Sequence, residues 1–583
     1  MNNETEIDFG LSETQLLTQA ISLIEKSDKL SEGFNFPDAL FLLQKALEIR
    51  EKFWGENHID TAAVYQKTAN IYHDMGKYKT AMEWNQKALE VREKILGNEH
   101  ADTAETYNRI AIICDKLGEY KNALMWNEKA LQIREKIFGD AHPDTAETYH
   151  NIGMSYDTLG DYKKAMELYK KSLEIREKTL GSEHLDTAES HEQIALIHYK
   201  KGEYKTAMKL HQKAFEIYEK LGDEHPKIAE SYYNVASIYY RLGDSKKAMD
   251  LFQKASHIRE NKLGDEHPTT ALSYSGIATL YNGHGESEKA LELYQKALNI
   301  WEKELGAKHL STGAAYSGIS LIYYAQGEYQ KSVDLQQKVV DIYEKALGEE
   351  NPYITTLYSN IAVMYNEVKD YHNALLYSQK ALQIYEKERS KDYSAIAAVY
   401  DNIAAAYVEL QDYPNAILFY EKLLGIYEKI FRKKKLDTGR IYYNIASAYN
   451  IQKKYNAAMR YYQKALQIYE NAEGENHLIL VRIYSNIAET YIYLREHKNT
   501  IEYYKKVLKI REGPANKNYS AIFALYNNIA VMYDYLKDYE NALEYYKNTL
   551  DIYEKFLGDK NLDAESLETE KIRKRINAIS EQL

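Results

Sequence analysis

Histidine, asparagine and a single cysteine are the side chains of this 583-residue chain whose spacing most invites a chemical reading. His58, His100, His142, His184, His225, His267, His309 and His477 share one register. A recurring imidazole suggests zinc, which draws its nitrogen ligands to about 2.0–2.1 Å from one ion. Copies carried on successive helix pairs stand about 8–10 Å or more apart, so they cannot converge on a metal. These histidines are therefore read as residues of inter-repeat turns that cap helix ends, and no metal site is expected. His191 and Glu192 begin the string of a zinc-protease helix, but Ala195 stands where its second histidine belongs. GxxxxGK[ST], GxGxxG after a strand and GxSxG are absent. Cys114 falls in a column held elsewhere by Tyr72 and Tyr156, the place of a buried, inert thiol. No catalytic residue and no cofactor is expected.

Asparagine is the stronger signal. Asn360, Asn402, Asn444, Asn486 and Asn528 recur at one constant interval, each in the string NIA, and Asn151 and Asn234 hold the same position earlier. Asparagine is a mediocre residue for a helix interior, so propensity does not explain five in succession. Its amide offers both a donor and an acceptor, which suits clamping an extended peptide backbone; bonding to a neighbouring helix, or survival from duplication of one unit, is the other reading. Neighbouring positions vary more. Glu105, Asp115, Glu147, Asp157, Glu189 and Glu192 make an acidic wall in the front half, and Arg440, Tyr443, Arg482, Ser485 and Asn450 follow toward the back. Arginine beside amides suits a carboxylate or an acidic peptide motif, although charge runs also serve as solvated faces.

The elements that position these residues are repeats. Residues 60–100 recur as 102–142, and the pattern continues to the end of the chain. The turn position runs Gly76, Gly118, Gly160, Gly202, Gly243, Gly285, Gly327, Lys369, Gln411, Lys453, Arg495, Lys537, in steps of 42 with a single step of 41 after Gly202. One step back from Gly76 is Phe34, which makes about thirteen units over residues 11–560. Each unit reads as two antiparallel helices. The first opens at Asp60, Asp102, Asp144 or Asp186, and Glu105, Glu147 and Glu189 three residues on complete a capping box in three of these. The second, such as Tyr78 to Leu96, ends at a glycine able to take the left-handed C-cap conformation; Gly55, Gly97, Gly139, Gly474 and Gly558 are examples. Two alanine columns, through Ala69 and Ala81, let helices approach closely, and tyrosine fills the complementary large positions. Most of the 56 tyrosines are read as core on this spacing. A Ser12/Gln15 capping box opens the first helix, and the segment Asp563–Leu583 reads as an amphipathic helix covering the last repeat.

Composition agrees with a continuous array. There are seven prolines, no linker-like stretch and no apolar run of about 18 residues for a membrane span. Net charge is −12, which disfavours nucleic acid. Residues 1–300 carry 49 acids and 38 bases, against 38 and 37 in 301–583, so an acidic partner should prefer the C-terminal half. One cysteine and an acidic N-terminus without a secretory pattern point to a cytoplasmic setting. The basic run Arg432–Lys435 reads as a solvated loop between repeats.

The string ALxIREKxLGxxHPDTAxxYxNIAxxY, seen over Ala130–Tyr156, resembles the tetratricopeptide repeat in its 42-residue, kinesin-light-chain variety. The first repeat opens by about Ser12, leaving no room for the heptad coiled coil of kinesin light chains, so membership of a kinesin motor is not expected. The resemblance implies an all-α, right-handed α-solenoid (superhelix) of about 13 antiparallel helix-pair repeats: a continuous array over 1–560 and a C-terminal capping helix over 561–583. It also implies that the first helix of each repeat lines an inner groove and that the asparagines there clamp a peptide. The expected function is a non-enzymatic scaffold or adaptor holding a protein or peptide, with an acidic segment favoured, through Asn360, Asn402, Asn444, Asn486, Asn528, Arg440, Tyr443 and Arg482. The alternative is a regulatory sensor whose superhelix tightens around a signalling peptide or small ligand.

Overall fold

The computed structural model describes residues 12–387, 392–431, 435–471, 477–513, 518–557 and 563–583. Arg432–Lys434 of the basic run, Gly474, Gly558, the N-terminal segment and the His477 side chain lie outside the described residues.

The chain is an all-α solenoid whose described residues form helix pairs in two compact units, 1–364 and 365–583. Unit 1 begins with α1 (Glu13–Glu32) and α2 (Phe36–Trp54), α3 (Ile59–Asp74) and α4 (Tyr78–Leu96), α5 (Ala101–Lys116) and α6 (Tyr120–Phe138). It continues with α7 (Pro143–Thr158) and α8 (Tyr162–Thr179), α9 (Leu185–Lys200) and α10 (Tyr204–Tyr218), α11 (Pro226–Arg241) and α12 (Ser245–Leu263). Then come α13 (Pro268–Gly283) and α14 (Ser287–Glu304), α15 (Leu310–Ala325) and α16 (Tyr329–Leu347), and α17 (Pro352–Glu367), within which the division falls. Unit 2 holds α18 (Tyr371–Lys387), α19 (Tyr393–Glu409) and α20 (Tyr413–Lys429), α21 (Lys435–Ile451) and α22 (Tyr455–Glu470). It ends with α23 (His477–Tyr493) and α24 (His497–Glu512), α25 (Tyr519–Tyr535) and α26 (Tyr539–Ile552), and α27 (Asp563–Ser580).

Packing follows the columns. Ala69, Ala111, Ala195, Ala81, Ala123 and Ala165 are all fully buried, and a longer side chain there would overpack the helix contact. The tyrosines pack as core with their hydroxyls satisfied. Tyr65, Tyr107, Tyr358 and Tyr526 each donate to the glutamate 14 residues earlier, at 2.6–2.9 Å. At the last repeat, Ile572 and Ile579 of α27 are buried in a cluster with Ala542 and Tyr546.

The helix ends differ from the sequence expectation in two respects. Odd helices start earlier than Asp60, Asp102, Asp144 and Asp186, and the histidines cap them, as their register led one to expect: His58, His100, His142 and His184 accept the amide of those aspartates through Nδ1 at 3.1–3.2 Å. An imidazole nitrogen two residues before the aspartate reaches this amide, so no capping box forms with Glu105, Glu147 or Glu189, whose carboxylates turn to arginine and lysine. The glycines closing α2, α4, α6, α12 and α16 have positive φ with extended ψ, 82° and 172° at Gly97, rather than the left-handed helical geometry. That region is essentially closed to any residue with a Cβ, so the demand for glycine is stronger than a C-cap alone would make it.

Unit 1 also closes on itself. The ring of His225 meets Phe34 edge-on at 5.6 Å between centroids. His267 Nε2 donates to the Asp74 carbonyl at 3.2 Å beside Gly76, and Asn351 Nδ2 donates to the Leu159 carbonyl at 2.9 Å beside Gly160. His309 packs on Gly118, where an added Cβ would lie 3.2 Å from its Cδ2. The four contacts, 34 to 225, 76 to 267, 118 to 309 and 160 to 351, share one constant offset along the chain. The helix-capping register of later repeats is thus stacked on the hairpin turns of earlier ones, one superhelical turn away. Glycine at 160 is required twice over: its φ is +87°, and a Cβ would lie 2.9 Å from Pro352 Cδ. The equivalent turns of unit 2 carry Lys369, Gln411, Lys453, Arg495 and Lys537 at φ 57–64°.

Candidate functional site

The asparagine ladder lies on the odd helices, and two of its rungs bond a tyrosine on the even helix before them. Asn486 on α23 donates from Nδ2 to the hydroxyl of Tyr462, 3.2 Å away on α22, and to that of Tyr443 on α21 at 3.0 Å. Asn444 is hydrogen-bonded to the Tyr420 hydroxyl in the same relation. At two other rungs glycine makes room for the ring of the even helix: a Cβ on Gly276 would lie 2.9 Å from Phe252, and one on Gly318 would strike Tyr294. Burial pushes the Tyr420 and Tyr462 hydroxyls up to about 12, so both stay protonated and neutral. Bonding to a neighbouring helix, the second of the two sequence readings, thus accounts for both amide hydrogens of Asn486 and for one bond of Asn444.

The other predicted residues distribute unevenly. Arg440 on α21 forks onto Asp401 of α19, at 3.2 and 2.9 Å. Burial opposes its charge, but the bonds and charge of Asp401 outweigh this and raise its pKa. Its guanidinium therefore already carries a carboxylate. Arg482 is exposed on α23, its guanidinium 5.4 Å from the centre of the Tyr443 ring. Asn450 accepts from Thr490 at 3.3 Å. Asn402 is half-buried, with its backbone carbonyl taking the Asn366 amide at 3.4 Å. Asn528 is exposed, and Asn360 lies half-buried in unit 1. Unit 2 thus brings Arg440, Tyr443, Asn444, Arg482 and Asn486 onto one face of α21 and α23, with Asp401 of α19 beside them.

The acidic wall of unit 1 is not bare, which corrects the sequence reading. Glu105 bonds Arg109 Nε at 2.7 Å and also Arg134; Glu147 takes Arg134 at 3.1 Å, Asp157 takes Lys200 at 2.7 Å, and Glu189 takes Lys227 at 2.9 Å. Glu192 accepts from Ser231 at 2.9 Å and Tyr218 at 3.2 Å. Burial would raise Glu189, but Lys227, His150 and Arg176 overcome it and hold it far below the usual carboxylate range. Cys114 is buried, and burial lifts its thiol to about 12, leaving no thiolate at neutral pH.

Sequence reading overlooked a buried arginine column. In the recurring REK string, Arg134 and Arg176 are only 2% exposed. Each donates to the backbone carbonyl ten residues on, Asp144 at 2.7 Å and Asp186 at 2.8 Å, and to the Thr148 or Ser190 hydroxyl at 2.9 Å. The signal was present as Arg followed 14 residues later by Thr or Ser. Among the described residues no group of three or more His, Cys, Asp or Glu side chains could hold a metal ion, and no helix is long and apolar enough to cross a membrane.

Stacked antiparallel helix pairs that present a periodic polar face define a helical-repeat protein of the interaction-scaffold kind. The tetratricopeptide repeat family matches residues 34–345, 353–429 and 437–513 in overlapping windows, and again 524–563, so the chain belongs to that family. Among solved structures it is similar to nearly identical TPR-like repeats of a protein described as a kinesin light chain from Podosopora anserina, at 26% identity over 35% of this chain and 98% of that one, TM-score 0.28. BtubC (BKLC) from P. vanneervenii is 19% identical over 44% and 93%, TM-score 0.29. A Rap protein complexed with competence and sporulation factor is 17% identical over 64% and 98%, TM-score 0.48. No curated protein matches.

Proposed function

We propose that the chain is a non-enzymatic, cytoplasmic scaffold, built as one array over 1–560 with a capping helix over 561–583, that captures an extended peptide or protein segment on the odd-helix face of unit 2. The observation that carries this is the fixed posture of Asn486. Two tyrosine hydroxyls hold its amide hydrogens, at 3.0 and 3.2 Å, which leaves the carbonyl oxygen for a peptide N–H. A clamp already held in place pays little ordering entropy on binding. Asn444 repeats the arrangement through Tyr420, and Asn402 and Asn528 extend the row. With Arg440 engaged by Asp401, the preference for an acidic segment rests on Arg482, exposed and stacked on Tyr443.

The test is selection of binders from a random peptide display library on the intact chain, followed by measurement on the N402A/N444A/N486A variant. Loss of about tenfold or more in affinity, with helical circular dichroism intact, supports the reading. Unchanged affinity removes the groove assignment. A second reading is a sensor whose superhelix changes compactness around a signalling peptide or small ligand, acting on the contacts that join successive turns of unit 1, polar at His267 and Asn351 and apolar between Tyr162 and Tyr353 and at Leu305. Small-angle scattering with and without a selected peptide separates them, since only a sensor changes its radius of gyration.

A further inference from the structure

Unit 1 contains a chamber of about 430 Å³, walled by α3, α5, α7, α9 and α11 and floored by α4, α6 and α8. Its origin is in the even-helix column that faces the ladder. That column is a buried ring at Tyr169, Phe252, Tyr294, Tyr420 and Tyr462, whereas Leu43, Asn85, Asn127, Gln336 and Ser378 carry no ring. Asn85 and Asn127, in successive repeats, both line the chamber.

Among the unpaired groups on the walls are three acceptors and two donors, the donors being Arg176 Nε and His150 Nε2, since His150 Nδ1 accepts from Arg176. Asn85 and Asn127 are 1% and 2% exposed, and neither Oδ1 has a hydrogen-bond partner; the same holds for Asp115 Oδ1. The Asn85 amide nitrogen donates to the Ala81 carbonyl at 3.3 Å, which leaves its oxygen as the free end. The arginines and Lys227 on the wall arrive already paired: Arg109 with Glu105, Arg176 with the Asp186 carbonyl, Lys227 with Glu189. Six carboxylates and four cationic side chains line the chamber, so the balance is negative. An unpaired buried acceptor costs about 1–3 kcal/mol, and the excess of acceptors over donors, with the negative balance, favours a donor-rich, positively charged occupant. An ammonium offers three donors and no acceptor. The chamber adjoins a space of about 930 Å³, with which it shares Asn70, Asp74, Lys116 and Lys227 as lining.

We propose that this chamber is a binding site for a primary alkylammonium group, held by Asn85, Asn127 and Asp115, and distinct from the face of unit 2. Lys116, on the same wall, is the internal competitor for Asp115. The ammonium belongs either to a free small amine or to a lysine side chain of a protein segment. Titration calorimetry on the full chain with 1,4-diaminobutane and with Nα-acetyl-lysine amide distinguishes these sources; 1-butanol and acetate serve as controls. We expect one of the amines to bind with Kd below about 1 mM. Asn127→Tyr, which restores the ring of the column, should abolish binding, and Asp115→Asn should weaken it about tenfold. Asn85→Tyr and Asp115→Asn carry the test if Asn127→Tyr loses its helical circular dichroism. No heat from either amine, undiminished binding by the tyrosine variants, or preferential binding of acetate overturns the proposal.

Discussion

Replacing His267 with alanine should loosen unit 1 more than the same change at His100, although both histidines cap an odd helix through the same backbone amide. Each accepts the second helical amide through Nδ1 at 3.1 Å, and His267 Nδ1 also takes the Thr269 hydroxyl at 2.7 Å. Losing that cap costs about 1 kcal/mol in either variant. His100 does nothing further; its side chain is 44% exposed. His267 is 6% exposed, and with Nδ1 accepting, its proton sits on Nε2 and is donated to Asp74 in a turn 193 residues earlier. That bond adds about 1 kcal/mol, and the carbonyl left behind adds a comparable amount. The difference between the variants should therefore be about 1–2 kcal/mol, a factor of roughly 5–30 in local opening. Hydrogen exchange resolved to the turn amides of Met75, Gly76 and Lys77 is the assay, because a repeat array does not unfold in two states. These amides should exchange faster by that factor in His267→Ala and be unmoved in His100→Ala. Equal exchange in the two variants would refute the stacking of superhelical turns.

Two other outcomes follow from the same structure. Burial pushes His267 and His309 down to about 4, so the folded state holds neutral imidazoles that an unfolded chain would protonate. Their contribution is complete above the ordinary histidine pKa of about 6.5 and is lost as pH falls toward 4, up to about 3 kcal/mol for His267; thermal melts from pH 7 to 4.5 should fall less steeply in His267→Gln. In unit 2, Asn486→Ala and Tyr462→Phe should each destabilise by about 1 kcal/mol, with a double-mutant coupling of about 0.5–1.5 kcal/mol. Additive losses would mean that the 3.2 Å bond between them carries no energy.

Much of the fold was legible because each packing contact is copied once per repeat. Ala69 and Ala81, the tyrosines beside them and the glycines that end the even helices recur as columns, and the helices Tyr78–Leu96 and Tyr120–Phe138 fall where that periodicity puts them. The candidate face was legible only as a list of positions. Asn444, Asn486, Tyr443 and Arg482 recur beside the core columns, yet the partners that consume the asparagine amides, Tyr420 and Tyr462, belong to a different column on the even helices. Arg440 looked like a free cation because Asp401, 39 residues away, sits in a different register of the preceding repeat. The acidic wall misled for the same reason: a count of carboxylates along odd helices omits the buried arginines that even helices supply.

By itself the sequence determined the helical hairpin, its number of copies, the side of each helix that is buried and the caps in outline. Those properties depend on neighbours within about one repeat, where helix geometry and steric size leave little choice. Only the tertiary structure decided that His225, His267, His309 and Asn351 land on the hairpin turns of much earlier repeats, and that Asn85 and Asn127 open onto a common chamber. Such meetings depend on the small rotation between successive repeats added up over a whole superhelical turn. No local pattern records that sum, so residues that read as punctuation in the sequence become contacts only once the coil has closed.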